Sequence, residues 1–374
     1  LISVTHINSY FITSKLHGEL VNTLDKKGVR QQVFVPVAKT EHLNKNKPEK
    51  LEYGAVHYTR CFSSFHRYLW PLKMLKIWHA FKKHVEKHPA TLIHAHTLIV
   101  NGLVAYWAHK KWRTPYVVTV RNTDLNVFLT KFPLLKPLAF KVLNHAARII
   151  TISSAYRDEQ LKAFFPETRY PDIYRKCEVV PNGIHDFWIK NRRAKENKQM
   201  TPGLIFSGKI DKNKNLAGLL EACNQLTAQG FDLELKVLGD GPLLVMFKNK
   251  KYDFPVSFHR HISDKTQVLH LIRQSDVMVV PSFAESFGLV YPEAMSQGLP
   301  VIYTRGQGFD GHFPDGHVGY AVDPRSPEEI ADRIRKIMAD YDRFSANAFA
   351  GASRFSWDKV SDSLISIYEA ASKK

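Results

Sequence analysis

The sequence predicts an α/β protein built from two Rossmann-like halves. Short apolar, β-branched runs alternate with helix-period segments along the whole chain, as parallel strands joined by crossover helices do. At 374 residues the chain is longer than one hydrophobic core ordinarily organises. The alternation stops once, in the polar stretch 190–200, and then restarts. The expected divisions are a first domain over 1–181, an interdomain linker over 182–200, a second domain over 201–355 and a closing helix over 356–374.

In the first half, LISVTHI, QQVFVPV, TLIHAHT, PYVVTVR and ARIITIS read as strands, with helices over 15–27 and 103–111 between them. The lysine-rich stretch 39–50 reads as a surface loop, and EVVPNGIHDFW closes the half. In the second half, GLIFSGK, LELKVLG, PVSFHRH, DVMVVPS and LPVIYTR read as strands. Helices are expected over 215–229, 265–274 and 327–338, and 357–372 reads as a final amphipathic helix.

The net charge of +18 calls for an anionic partner: nucleic acid, a membrane surface or a phosphorylated substrate. No zinc-finger, helix-turn-helix or RNP-like pattern occurs, so no nucleic acid partner is expected. There is no run of eighteen apolar residues and no signal peptide ahead of LISVTHI; the absent initiator Met suggests a processed or trimmed chain. Cys61, Cys177 and Cys223 lack metal-ligand spacing and read as reduced thiols of a cytoplasmic protein.

The most informative string is VVPSFAESFGLVYPEAMSQGLPV, residues 279–301. A buried strand ends at Pro281-Ser282; a small loop follows, then a helix opened by Pro292 and ended by Gly298. Glu285 therefore lies beyond a strand's carboxyl end, where open α/β sheets bind ligands. Glu293 lies in the first turn of the helix, where on its own it would simply meet the dipole. Loop N–H groups and a helix N-terminus favour an anion, while two glutamates suit hydroxyl groups. A ligand with phosphates and many hydroxyls, such as a nucleotide sugar, answers both.

The string resembles the Glu-x7-Glu signature of the retaining GT-B glycosyltransferases of group 1, family 4. VVPNG, SGKIDKNKN and the closing FSW support the resemblance in order along the chain. It implies two Rossmann-like domains facing across a cleft, with the C-terminal helix crossing back to the first. The implied activity is metal-independent hexosyl transfer, with retained configuration and no cofactor, from a nucleotide-diphosphate sugar held mainly by the second domain. SGKIDKNKN is similar to the family's G-R-L-x-x-x-K-G phosphate site, with Lys209 in place of Arg and Asn215 in place of Gly. Lys keeps the charge but loses the bidentate fork. The resemblance implies that Lys209 and Lys214, beside Gly208, stabilise the departing diphosphate. Glu285 and the N–H groups around Ser286, Phe287, Gly288 and Leu289 would engage sugar and phosphate, and Glu293 the ribose. The Gly239-Asp240-Gly241-Pro242 turn would pack beside the nucleotide, and 259–262, with His261 and Ile262, would contact the base.

Two motifs are set aside. Gly306-Gln307-Gly308-Phe309-Asp310-Gly311 spells the dinucleotide fingerprint, but His312-Phe313-Pro314-Asp315-Gly316 after it is loop chemistry, not a helix opening. Gly311 also stands where many family members carry Glu. Asp340-Tyr341-Asp342 matches D-x-D but reads as a solvated turn, so no metal is expected.

In the first half, VVTVRNTD resembles an R-G-[ST]-D variant of the family's acceptor-side position, with Asn122 for Gly. Arg121 and Asp124 are the acceptor-side candidates, with His96 at a neighbouring strand end; the plainer alternative is an Arg121–Asp124 salt bridge. The first loop, 8–15, lacks the glycines that many members place near the donor phosphates. Two basic aromatic stretches, 62–88 and 127–147, either pack as ordinary helices or lie on an anionic membrane. From Leu72, an apolar face of Leu75, Trp78, Phe81 and Val85 is expected on the first. The expected role is synthesis of cell-surface polysaccharide or glycoconjugate on a saccharide or lipid-linked acceptor, at the inner face of the membrane if those helices engage it. A GT-B sugar-nucleotide epimerase would use the same donor site without an acceptor, and a non-catalytic binding protein would hold the donor without turnover.

Overall fold

Parallel pairing accounts for every strand of the two sheets in the computed structural model, which describes residues 2–165 and 167–373. In the first sheet the strands are β1 (Ser3–Ile7), β2 (Arg30–Val37), β3 (Gly54–Arg60), β4 (Leu92–Ala95), β5 (Tyr116–Thr119), β6 (Arg148–Thr151) and β7 (Cys177–Val179), in the order β3-β2-β1-β4-β5-β6-β7. The second holds β8 (Gly203–Ser207), β9 (Glu234–Leu238), β10 (Val256–His259), β11 (Val277–Val279), β12 (Val301–Thr304) and β13 (Gly319–Val322), in the order β10-β9-β8-β11-β12-β13. Each order reverses once, between β1 and β4 and between β8 and β11, and such switch points are where α/β sheets open a ligand crevice.

The chain separates into two units, Leu1–Gly183 with Trp357–Lys374, and Ile184–Ser356. Central strands of both are buried on two faces, so they read as continuous apolar runs. The strands the sequence did not declare are edge strands. Only Val56 of β3 is fully buried, and β7 is three residues long. β13 begins at Gly319, whose φ of 145° and approach to the Val301 carbonyl exclude a side chain.

The helix Trp357–Ser372 completes the first unit's core. Val360, Leu364, Ile367 and Tyr368 pack with Val4, Leu20, Leu24, Leu92 and Val117, at about 1.5–3 kcal/mol per fully buried large apolar side chain. Trp357 lies flat on Gly183, where a Cβ would come within 2.3 Å of the ring. Its indole N–H donates to Glu19 Oε2 at 2.6 Å, and Lys27 pairs with Asp358 and Asp362.

Three expectations change. The stretch 190–200 is not a free linker: Lys195 Nζ lies 2.7 Å from the Ser275 carbonyl and 3.2 Å from buried Asp276, which also accepts from the Gln199 and Gly203 N–H groups. This order comes from hydrogen bonds, so it leaves no apolar period. The Asp340-Tyr341-Asp342 string is a helix junction: Tyr341 is buried and opens the helix Tyr341–Ala352, and Asp340 accepts from Arg343. The helix Trp70–Lys87 buries Met74, Ile77, Phe81 and His84, not the expected face. Of that face only Phe81 faces the core; Leu72 and Leu75 are exposed, and Trp78 is half-buried against Trp107 and Trp112.

Candidate active site

At the second switch point, β8 runs into the turn 208–215 and the helix Leu216–Ala228. Asn215 adopts φ 55°, a left-handed conformation that Gly fills freely and Asn tolerates best among other residues. Its side chain accepts from the Gly218 N–H and donates to the carbonyls of Pro281 (3.1 Å) and Pro324 (2.7 Å). The departure from the family glycine is thus compatible with the turn and ties it to the end of β11. Asp211 Oδ1 accepts from the Lys214 N–H at 3.0 Å and steadies the same turn.

The neighbouring loops close on this one. Gly239 has φ 146°, and a Cβ there would sit 1.9 Å from the Gly208 carbonyl; at Gly241 it would sit 2.3 Å from the Ile210 carbonyl. The glycine turn after β9 therefore lies directly against the turn after β8. Gly308 packs in the same way on the Ser286 carbonyl, and Gln307 Oε1 accepts from the Glu285 N–H at 3.0 Å. The glycine-rich segment 306–311 thus buttresses the Glu285 loop and opens no helix.

Within this frame Lys214 Nζ forms an ion pair with the buried Glu285 carboxylate. Ser282 Oγ lies 3.4 Å from the same carboxylate, and the Ser286 N–H donates to it at 3.0 Å. Phe287 is a core side chain against Phe309, His312 and Phe355, so only its backbone can face a ligand. Among the described residues the N–H groups of Phe287, Gly288 and Leu289 make no hydrogen bond, which leaves three donors together. Gly288 has φ 79°, and any Cβ would strike the Tyr291 ring. Glu293 is half-buried in a helix, Val290–Met295, of only six residues.

The sheet brings Gly208, Lys214, Gly239 and Glu285 to one carboxyl-end edge. Lys209 is there too, but points outward, 67 % exposed and 3.4 Å from Asp211. His261 and Ile262 follow edge strand β10 on the same side; His261 is exposed and Ile262 half-buried.

In the first unit, His96, Arg121 and Asp124 lie beyond β4 and β5. Asp124 is fully enclosed and braces backbone: its carboxylate accepts from the N–H groups of Arg121, Leu98 and Ile99 at 2.9–3.1 Å. Burial pushes its carboxyl up to about 6 against those bonds. The Arg121 guanidinium donates to Asn182 Oδ1 (3.0 Å) and to the His96 carbonyl (3.4 Å). No Arg121–Asp124 side-chain ion pair occurs among the described residues; in place of the salt bridge weighed as the plainer alternative, Asp124 holds the Arg121 backbone. Arg121, His17, His94, His96, Thr119 and Asn182 form the polar side of a cavity of about 60 Å3 whose other wall is apolar, with Leu20, Ile150, Val180 and Leu364. His6 Nδ1 lies 2.9 Å from His96 Nε2. Burial, reinforced by Arg121 and the neighbouring imidazoles, lowers His17 to about 3 and His94 and His96 well below the ordinary range, so these rings are neutral. His6, His17 and Asn215's second role carried no sequence signal; Asn182 stood inside VVPNG.

Two family models match the chain in order: "Glycosyl transferase 4-like domain" over 17–183 and "Glycosyl transferases group 1" over 189–350. The D-inositol 3-phosphate glycosyltransferase of Corynebacterium kroppenstedtii is 27% identical over 317 residues, 77% of this chain and 69% of that one. Among solved structures, a lipopolysaccharide outer core galactosyltransferase aligns with TM-score 0.73 at 15% identity, covering 99% of both chains. Anabaena HepE, solved with UDP, aligns with TM-score 0.71 at 16% identity over 99% of this chain and 100% of that one. With both halves matched in order and the paired sheets shared end to end with solved glycosyltransferases, the chain belongs to the group 1, family 4-like glycosyltransferases of the GT-B fold.

Proposed function

We propose that the enzyme transfers a hexose, with retained anomeric configuration and without a metal, from a nucleotide-diphosphate sugar to a saccharide acceptor carried on a lipid. The Lys214–Glu285 pair beside three unpartnered N–H groups supports the donor half of this reading most directly. An arriving diphosphate draws Lys214, with Lys209 in reach from the same turn, and neutralises charge as the leaving group departs. Glu285, released from its pair, accepts from sugar hydroxyls. The free N–H groups of Phe287 to Leu289 take phosphate or sugar oxygens, and Glu293 meets the ribose. Because HepE was solved with UDP-glucose as well as UDP, UDP-sugars are the first donors to test. Arg121 and His96, on the polar side of the small cavity, serve the acceptor side, and Asp124 serves by holding Arg121.

A cell-surface role fits the exposed Phe65, Tyr68, Leu72 and Leu75, which lie among lysines on and before the helix Trp70–Lys87. The exposed run 131–134, Lys-Phe-Pro-Leu, adds a second apolar point. Both suit a surface that collects a lipid-borne acceptor from an anionic leaflet.

The test combines donor binding with product analysis. Lys214→Ala should weaken UDP binding and slow transfer about a hundredfold, the usual cost of one preorganised electrostatic contact, with little change in melting temperature. Proton NMR of the first product should show the donor's anomeric configuration, and initial rates should persist in EDTA. Inverted product, or rates restored only by Mn2+, would sink the proposed mechanism.

A further inference from the structure

Three imidazoles outside both sites meet at the outer edge of the first sheet. His57 lies on edge strand β3; His84 and His88 stand one turn apart at the end of the helix Trp70–Lys87. Their candidate ligand nitrogens all lie within 4.8 Å of one another. The ring centroids are 4.6 Å apart for His57 and His88, and 5.0 Å for each pair with His84. His57 Nε2 lies 2.6 Å from Gln32 Oε1. A carbonyl oxygen only accepts, so Nε2 carries the proton and the Nδ1 lone pair is available. This is the outer partner that metal-bound imidazoles ordinarily have. His84 is 8 % exposed, and its Nε2 has no hydrogen-bond partner among the described residues, a costly state for a buried polar atom. The three rings line an open groove of about 750 Å3, so an ion can reach them from solvent.

We propose that His57, His84 and His88 bind one divalent transition-metal ion of the zinc type, clipping edge strand β3 to the end of the helix Trp70–Lys87. Three neutral imidazoles with one open position are a ligand set that zinc accepts, at metal–nitrogen distances of about 2.0–2.1 Å. Reaching that geometry needs the rings to close by an ångström or so. Arg60, Lys83 and Lys87 line the same groove; they oppose the cation and favour a hydroxide or other anion in the fourth position. The second histidine group, His6, His94 and His96, is a weaker candidate. It is fully buried, and His94 already bonds through both nitrogens, to Tyr368 and Thr119.

The site predicts a stabilising ion remote from the donor loops. The metal-free chain, titrated with Zn2+ in a calorimeter, should take up one ion, and its melting temperature should rise as any ligand of the native state requires. Co2+ should give the visible absorption of a tetrahedral centre. His84→Gln and the half-exposed His88→Gln should each weaken binding at least tenfold, while His79→Gln, in the same groove but outside the triad, should leave it unchanged. Circular dichroism of the metal-free variants checks folding. EDTA should lower the melting temperature without lowering the initial transfer rate at room temperature. No Zn2+ uptake at micromolar concentration would overturn the proposal. So would folded His84→Gln and His88→Gln variants that bind as the parent does, or binding abolished by His6→Gln instead.

Discussion

Asn215 carries three jobs that a glycine would divide: a left-handed turn, a helix cap and two bonds to loop carbonyls. Asn215→Gly keeps the conformation and loses the bonds, which should cost about 1–3 kcal/mol. Asn215→Ala loses the conformation as well and should cost more. Thermal unfolding that ranks the variants in the order Asn, Gly, Ala checks this, and a Gly variant as stable as the parent would remove the bonds from the account. Glu285 and Lys214 were legible in the sequence because each sits in a turn whose Gly, Pro and charged neighbours fix its local shape. Their pairing was not legible, since 71 positions separate them and only the adjacency of β8 and β11 brings them together. His17 gave no signal at all: it is one polar residue at the start of an ordinary helix, and only the fold sets its ring against His96 in the cavity that Arg121 also lines.

In the helix Trp70–Lys87, packing on the core leaves a second face exposed, so the packed reading does not exclude the membrane one. Met74, Ile77 and Phe81 fasten it to the core, while Leu72 and Leu75 remain exposed near Lys76, Lys83 and Lys87. Lys73 does not belong to the outer set: burial lowers its pKa, and its ammonium lies 4.9 Å over the Phe62 ring. Binding to anionic vesicles should therefore fall when Lys76, Lys83 and Lys87 are changed to Glu, by about 1 kcal/mol per lysine, and should weaken with salt. Lys73→Glu should instead destabilise the fold. Co-sedimentation that leaves the triple variant pelleting like the parent would rule this surface out. Central strands and long helices were readable because burial on two faces writes continuous apolar runs. The edge strands β3 and β13 and the stretch 190–200 were not, because hydrogen bonding and a special glycine, rather than apolar burial, keep them in place.

The strongly lowered histidines lie in the first unit, which makes the two units unequal in acid. Burial, ahead of any charge, holds His6 at about 3; for His17 burial comes first, with Arg121 and His6 adding to it. Between their folded value and the ordinary 6.5 the unfolded chain binds protons that the native state refuses. The stabilisation is thus complete above about pH 6.5 and is lost as pH falls toward 3, at up to about 1.4 kcal/mol per pH unit for each ring. Scanning calorimetry from pH 7.5 to 5 should show the first unit's transition moving down faster than the second's. Equal movement of the two would put the acid sensitivity elsewhere. A different asymmetry follows from the helix Trp357–Ser372, which finishes the first unit's core although the whole second unit precedes it in the chain. A nascent chain emerges from its amino end, and domains fold as units while it does. The inserted half can therefore close on itself while the first half still waits, with Val4, Leu92 and Val117 bare on one side. Chaperones would find their binding surface there during synthesis, and a chain cut just before Trp357 would carry a finished second half tethered to an unfinished first.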